Sequence, residues 1–477
     1  ATPPFIAAGA NRGTEYDSAD VTAVSVSAQP GRWREALTAA EQEARRLVQH
    51  GVLQAEVDRE VAEYRAALTA RAAGAATRRS AQIASALVNA VDEDEVFTAP
   101  AEDLRVFEAA VRGLTAERVT AAVRRAFAGQ GPLVFLATPQ AIEGGETAVA
   151  AAFAASAQAP VTPPVAEVVK PWPYASWGAP GRVAEQRRVE DLDVTFVRFA
   201  NGVRLTVKPT RLEDDEVLVS VRVGRGRLDL PRDRESVGWA APFALAAGGT
   251  TELTDEELDR ILVGRVLGAA FSVDDDAFVW SGRTRPQDFG TQLELLTAHT
   301  ARPGWRPEPF ARVRAAALNQ LNQLEATPSG VLQRDLGALL RSGDPRWTFP
   351  ERAEIEGARP EDLRALLAGP LAEGPLEVVI VGDIPLERAI AETARTFGAL
   401  PPRPAPASPP TAADPSARLR FPAGAEPARR THRGRADQAV GYVAWPTADF
   451  LSDPQRARAA RVMEQVVSLR LTDELRE

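Results

Sequence analysis

Three histidines, His50, His299 and His432, are the only imidazoles in 477 residues, and there is no cysteine. None of the three has another His, Asp or Glu at i+3 or i+4. A helical zinc site needs two ligands one turn apart on one face, and no histidine here supplies such a pair. Without cysteine, the chain has no disulfide, thiolate metal site, iron–sulfur cluster or thiol nucleophile. No G-x-S-x-G elbow is present to place a serine nucleophile. His50 precedes Gly51 at a helix end, where a cation is favoured by the helix dipole. His299 shares a helix with Leu295 and Leu296 and reads as a packed or surface histidine. His432 lies among Arg429, Arg430, Arg433 and Arg435, a basic cluster that reads as a solvated edge strand.

Two acidic runs, Glu213-Asp214-Asp215-Glu216 and Asp274-Asp275-Asp276, lack the alternation and glycine of a calcium loop. They read as solvated turns before strands. Trp172, Tyr174 and Trp177 sit in a proline-rich stretch and are expected to pin it onto a domain surface, since aromatic rings bury large areas. Lys+Arg is 56 against Asp+Glu 65, a net charge of −9, which makes nonspecific nucleic-acid binding a poor candidate function. No apolar run is long enough to span a bilayer. With 45% apolar and 25% charged residues the composition is that of an ordinary globular protein, and the length predicts about three domains.

Proline clusters punctuate the chain at 156–188 and 401–416 and read as linkers, because proline cannot donate ladder hydrogen bonds. They leave blocks at 1–155 and 189–400 and a stub at 417–477. In block one, Trp33, Leu37, Ala40, Ala44, Leu47 and Val48 follow the helical period, and Gly51 stops that helix. Further helices are expected over about 54–72, 77–90 and 115–128, the last capped by Thr115, followed by a strand at 132–138. Block two opens with strands at 194–199 and 203–209 joined by a two-residue Asn201-Gly202 hairpin, then an alternating strand at 216–224. Helices at about 236–247 and 254–268, a strand at 277–283, and helices at 287–300 and 307–325 follow. Helix 360–368, strand 376–383 and helix 385–397 end the block.

The blocks resemble each other. In 114–139 and in 358–383 a helix carrying Glu117 or Glu361 leads through Gly-Pro-Leu into an apolar strand. An offset near 250 residues is too long for a solenoid repeat and implies a duplicated domain. The chain starts at Ala1, without a signal-like segment, and ends in "RLTDELRE", which reads as the middle of a helix. An excised piece of a longer polypeptide is the expectation.

Block two resembles a domain of the M16 peptidases, the pitrilysin, insulin-degrading enzyme and mitochondrial processing peptidase family. The resemblance rests on "FANGVRLTVKPT" (199–210), "SVGWAAPFALAAGGTTELT" (236–254) and "VVIVGDIPLERAIAETARTFGALPPR" (378–403). Block one resembles the second domain of an M16 pair, and the stub resembles the start of a further domain. The order is similar to that of long bacterial zinc proteases with four such domains. The resemblance implies an α+β fold of repeated M16-type domains, each an antiparallel or mixed sheet covered by helices. It also implies a parent zinc endopeptidase that encloses peptides or unfolded proteins between paired domains of one chain, with a bacterial periplasmic location.

That family's chemistry needs a His-x-x-Glu-His helix and a downstream Glu. The matching positions here are Ala241, Ala244 and Leu245, with Asn319 or Gln320 downstream. None is a competent zinc ligand. The segment is therefore expected to be noncatalytic, with zinc held elsewhere in the parent. A sheet edge is expected to take an extended peptide by strand addition. Arg476 resembles the first residue of the family's Arg/Tyr substrate-binding motif. The alternatives are a nonenzymatic M16-like scaffold or peptide-binding module, and an unrelated fold built on parallel βαβ crossovers.

Overall fold

The computed structural model describes residues 5–476 apart from 17, 30, 139, 167, 233–235, 405–420, 425, 448 and 451; the side chains of 475 and 476 also lie outside the description. Most of the second proline-rich stretch, 401–416, thus lies outside the described residues. The chain divides into two units, 1–319 with 350–417 and 320–349 with 418–477.

Phe5–Glu15 (β1) and Ala19–Ala28 (β2) form a two-stranded antiparallel ribbon. The sequence pattern assigns no element here because neither face of the ribbon carries an uninterrupted apolar row. Six helices follow: Trp33–His50 (α1), Gln54–Ala73 (α2), Ser80–Asp92 (α3), Pro100–Ala110 (α4), Ala116–Ala126 (α5) and Gly145–Gln158 (α6). Gly51 ends α1 at φ +77°, and a β-carbon there would collide with Thr120 on α5. Thr115 caps α5, its hydroxyl accepting from Arg118 N. α1 packs on β2, α5 and α6.

The strand expected at 132–138 is not formed. A strand satisfies its N–H and C=O groups on neighbours, and no described residue offers this segment a ladder. Leu133 and Phe135 are consequently almost fully exposed.

Block two is built on a seven-stranded mixed sheet. Its strands in chain order are Val183–Val189 (β3), Val194–Phe199 (β4), Arg204–Pro209 (β5), Val217–Val223 (β6), Ala270–Val273 (β7), Phe278–Thr284 (β8) and Leu376–Gly382 (β9). The spatial order is β3-β4-β5-β9-β6-β8-β7. Only β5 and β9 pair in parallel; all other neighbours are antiparallel. The βαβ alternative is thereby excluded, and the fold is the mixed-sheet α+β class expected. Strict alternation explains the core. Val217, Val219, Val221 and Val223 on β6 and Leu376, Val378 and Ile380 on β9 are all buried.

The covering helices are Ala241–Ala247 (α7), Asp255–Ile261 (α8), Phe289–Ala301 (α9), Pro307–Ala326 (α10), Pro328–Leu339 (α11), Arg352–Gly357 (α12), Pro360–Glu373 (α13) and Leu386–Arg395 (α14). The unit boundary falls within α10. The helix expected over 254–268 stops at Ile261, because Gly264 adopts φ +75° and turns the chain toward β7. The expected two-residue hairpin is a three-residue loop, Ala200 to Gly202. Phe199 N donates to Val203 O at 2.9 Å, and Gly202 takes φ +89°. The longer loop frees Asn201 Nδ2 to donate to Phe397 O and Leu400 O at 3.0 Å each, tying the hairpin to the block's far end.

In the second unit, Pro454–Arg476 (α15) is the one long helix beyond α11, and its apolar residues Val462, Met463 and Leu469 are exposed.

Candidate functional site

The helix that would carry zinc ligands in the resembling family is α7. A short 3-10 turn at Gly238–Ala240 leads into it. Gly249 closes it at φ +62°, where a β-carbon would meet Leu253 O and Asp255 N. Arg306 Nη1 donates to Gly248 O and, at 2.7 Å, to Thr250 O, satisfying carbonyls the helix end leaves open. The geometry is well determined, but its chemistry is apolar. Ala241, Ala244 and Leu245 are buried in the main core cluster, beside Phe289, Leu293 and Leu296 of α9. Side chains without lone pairs, sealed from solvent, do not fit a divalent cation. The one large side chain α7 turns to solvent is Phe243.

Downstream on α10, Asn319 is half-buried and Gln320 exposed. Among the described residues no group of three or more His, Cys, Asp or Glu side chains is placed to hold a metal ion. Arg476 closes α15, but its side chain lies outside the described residues.

The histidines stay apart. His50 Nε2 donates to Val161 O at 3.0 Å. His432 Nε2 donates to Gln438 O at 3.2 Å while its Nδ1 accepts from Gly434 N. His299 is packed, its ring centroid 4.7 Å from that of Trp280. Burial pushes its pKa down to about 4, so it is neutral at pH 7.

The run Asp274-Asp275-Asp276 is an exposed turn before β8, as its sequence suggests, whereas 213–216 is half-buried. Asp215 pairs with buried Arg285 at 2.5 Å, Glu216 with Arg283 at 3.2 Å and Glu213 with Arg79 at 2.5 Å. Asp276 pairs with Arg222 at 2.7 Å. The basic cluster around His432 forms no strand. Arg430 instead pairs with Asp335 at 2.9 Å and Arg433 with Glu325 at 3.0 Å, because acids near α11 offer opposite charge. These partners lie between 54 and 134 residues apart in sequence, so no local signal announces them. The Glu213–Arg79 pair, with Asp214 N donating to Thr77 Oγ1 at 2.8 Å, also joins block one to block two.

The linker at 156–188 is structured at both ends by α6 and β3, and its aromatics hold its middle. Tyr174 is buried with Leu253, Leu258, Leu295 and Ala298, stacked on Trp177 at 5.8 Å. Trp172 Nε1 donates to Glu294 Oε2 at 2.7 Å, and Glu294 is paired with Arg395 at 2.6 Å.

What remains open is backbone. The sheet has two edges, β3 and β7. β3 carries Glu185, Arg187 and Arg188, with Glu185 paired to Arg198 and Arg187 laid over Phe196, a charged edge that discourages pairing. β7 is short, uncharged and packed against α7. It is the edge better suited to an added strand.

No protein-family model matches the chain. Over 219 residues, 45% of this chain and 17% of the relative, it is 21% identical to the chloroplastic stromal processing peptidase of Arabidopsis thaliana. Its fold is similar to the crystal structure of the ferredoxin protease FusC in complex with Arabidopsis ferredoxin, with a TM-score of 0.50 at 16% identity, covering 85% of this chain and 45% of that one. It is also similar to the periplasmic protease PqqL from Escherichia coli (TM-score 0.43, 16% identity, 85% and 45% covered). A peptidase M16 inactive domain from Pseudomonas fluorescens is a shorter match (TM-score 0.38, 20% identity, 46% and 53% covered). The chain thus spans less than half of the first two structures and under a fifth of the curated relative. Structural neighbours of this chain include M16 peptidases, and the mixed-sheet α+β fold that it shares with the ferredoxin protease is the class its sequence resemblance implies.

Proposed function

We propose that this chain is a noncatalytic part of a larger M16-type zinc endopeptidase. It forms part of the wall that encloses peptide or unfolded-protein substrates and docks the parent's domains on one another. One observation carries the reading: the positions where an M16 domain keeps zinc ligands and the water-activating carboxylate are Ala241, Ala244 and Leu245, all buried. The Arg79–Glu213 junction supports the docking role, and the uncharged β7 edge supports a backbone contact to extended substrate. Zinc belongs elsewhere in the parent, and a bacterial periplasmic location goes with the same reading. No described helix is long and apolar enough to cross a membrane.

The test is direct. The chain is incubated with zinc and an unstructured peptide such as casein fragments, with and without a chelator. The expected result is no metal-dependent cleavage. Cleavage that the chelator abolishes overturns the proposal. The vacancy at α7 serves a nonenzymatic peptide-binding scaffold equally well. Metal analysis and a peptidase assay on the full-length parent separate the two, since a scaffold binds no stoichiometric zinc and cleaves nothing.

A further inference from the structure

The helix α3 buries none of its 13 residues and has no substantial packing partner among the described elements. Ala84, Leu87, Val88 and Val91 fall at i, i+3, i+4 and i+7, one stripe along the helix. All four are exposed, Val88 at 67% and Val91 at 81%, and so are Val96 and Phe97 just past the helix end. A helix draws its stability from an apolar face packed on something else, since a length of about 12–15 residues is marginal alone in water.

The ends of α3 carry charge of the wrong sign for the helix itself. Arg78 and Arg79 stand before its first turn, where the backbone dipole is positive. Asp92, Glu93, Asp94 and Glu95 stand at and beyond its last turn, where the dipole is negative. The four acids are exposed, and no ion pair or side-chain hydrogen bond among the described residues engages them. Arg79 shares its guanidinium with Glu213, but its side chain stays 72% exposed. Arg78 has no acidic partner among the described residues.

We infer that α3 is an interface at which two copies of this chain pair antiparallel about a two-fold axis. The axis passes between Leu87 and Val88, so Ala84 lies opposite the partner's Val91 and the two apolar stripes cover each other. Antiparallel pairing brings Arg78 and Arg79 to the partner's Asp94 and the partner's Glu95, and the symmetry makes this contact twice. It also sets the two helix dipoles head to tail. A parallel pair would place acids against acids and arginines against arginines. A purely cationic partner would suit the acidic end alone, whereas a second copy brings both charges in register with the stripe. One short helix offers little area, so the dimer is weak and depends on concentration. The inference does not depend on whether the parent cleaves peptides.

The intact chain is followed by sedimentation velocity from low to high micromolar concentration. Reversible dimerisation is expected, and raising the salt concentration is expected to weaken it about threefold or more. Leu87→Lys with Val91→Lys places cations on the stripe. It is expected to weaken the dimer at least tenfold without lowering the melting temperature, since both side chains are exposed. Orientation is read by cross-linking, because the chain has no native cysteine to interfere. Chains carrying Ala84→Cys and chains carrying Val91→Cys are mixed under mild oxidation. The mixed disulfide is expected to exceed either homodisulfide severalfold. A chain that stays monomeric throughout overturns the inference, as does a dimer that the double variant leaves intact. So does a dimer that salt strengthens, or an excess of homodisulfides. Protection of α3 from hydrogen exchange by an added cationic amphipathic peptide, in a chain that does not dimerise, assigns the face to another partner and overturns it too.

Discussion

Acidification from pH 7 is expected to destabilise the block-two core through His299. Its ring lies in α9 against Trp280, 3% exposed, and its Nδ1 has no hydrogen-bond partner among the described residues. Folding holds the pKa down at about 4 against 6.5 for the free side chain. Above pH 6.5 both folded and unfolded chains carry it neutral, and the full stability is present. As the pH falls from 6.5 toward 4, the unfolded state binds a proton that the folded state refuses, and stability is lost. Below 4 both states are protonated and the loss levels off. A difference of about 2.5 units corresponds to about 3 kcal/mol, a large share of the stability of an ordinary domain. The assay is urea unfolding followed by tryptophan fluorescence at pH 7 and at pH 4.5, for the native chain and for His299→Leu. The variant removes the proton site and the orphaned ring nitrogen while keeping an apolar side chain. It should lose about 2 to 3 kcal/mol less than the native chain over that interval. Equal losses in the two proteins would refute the burial argument, because carboxylates common to both would then account for the whole pH effect.

Two further substitutions test the packing. Arg285→Ala leaves Asp215 half-sealed without its cation and should cost about 3 kcal/mol in chemical unfolding. Adding Asp215→Asn should recover part of that loss, and a double variant no better than the single one would count against the pair. Tyr174→Ala removes the ring that seats the linker on Leu253, Leu258 and Leu295, and should cost about 3 kcal/mol or more. Limited proteolysis should then cut between 160 and 181 at least tenfold faster, and an unchanged rate would show that the aromatic cluster does not hold the linker.

The composition of the chain already settles what α7 can do. Alanine and leucine cannot ligate zinc wherever the fold puts them, and three isolated histidines cannot combine within one helix. Local periodicity likewise determines α1 with its Gly51 stop, and the valine alternation of β6 and β9, because these depend on neighbours one turn or two residues away. Partners distant in the chain are decided only by the tertiary structure. The segment 132–138 has the composition of β9 but no ladder beside it, so it forms no strand. The acidic run at 213–216 reads as solvent-facing, yet Arg79, Arg283 and Arg285 converge on it. A β-strand's hydrogen bonds and an ion pair's Coulomb attraction are both made across space to residues the local sequence does not contain. Side-chain type and period are therefore legible in a single chain, whereas pairing is legible only once it has folded.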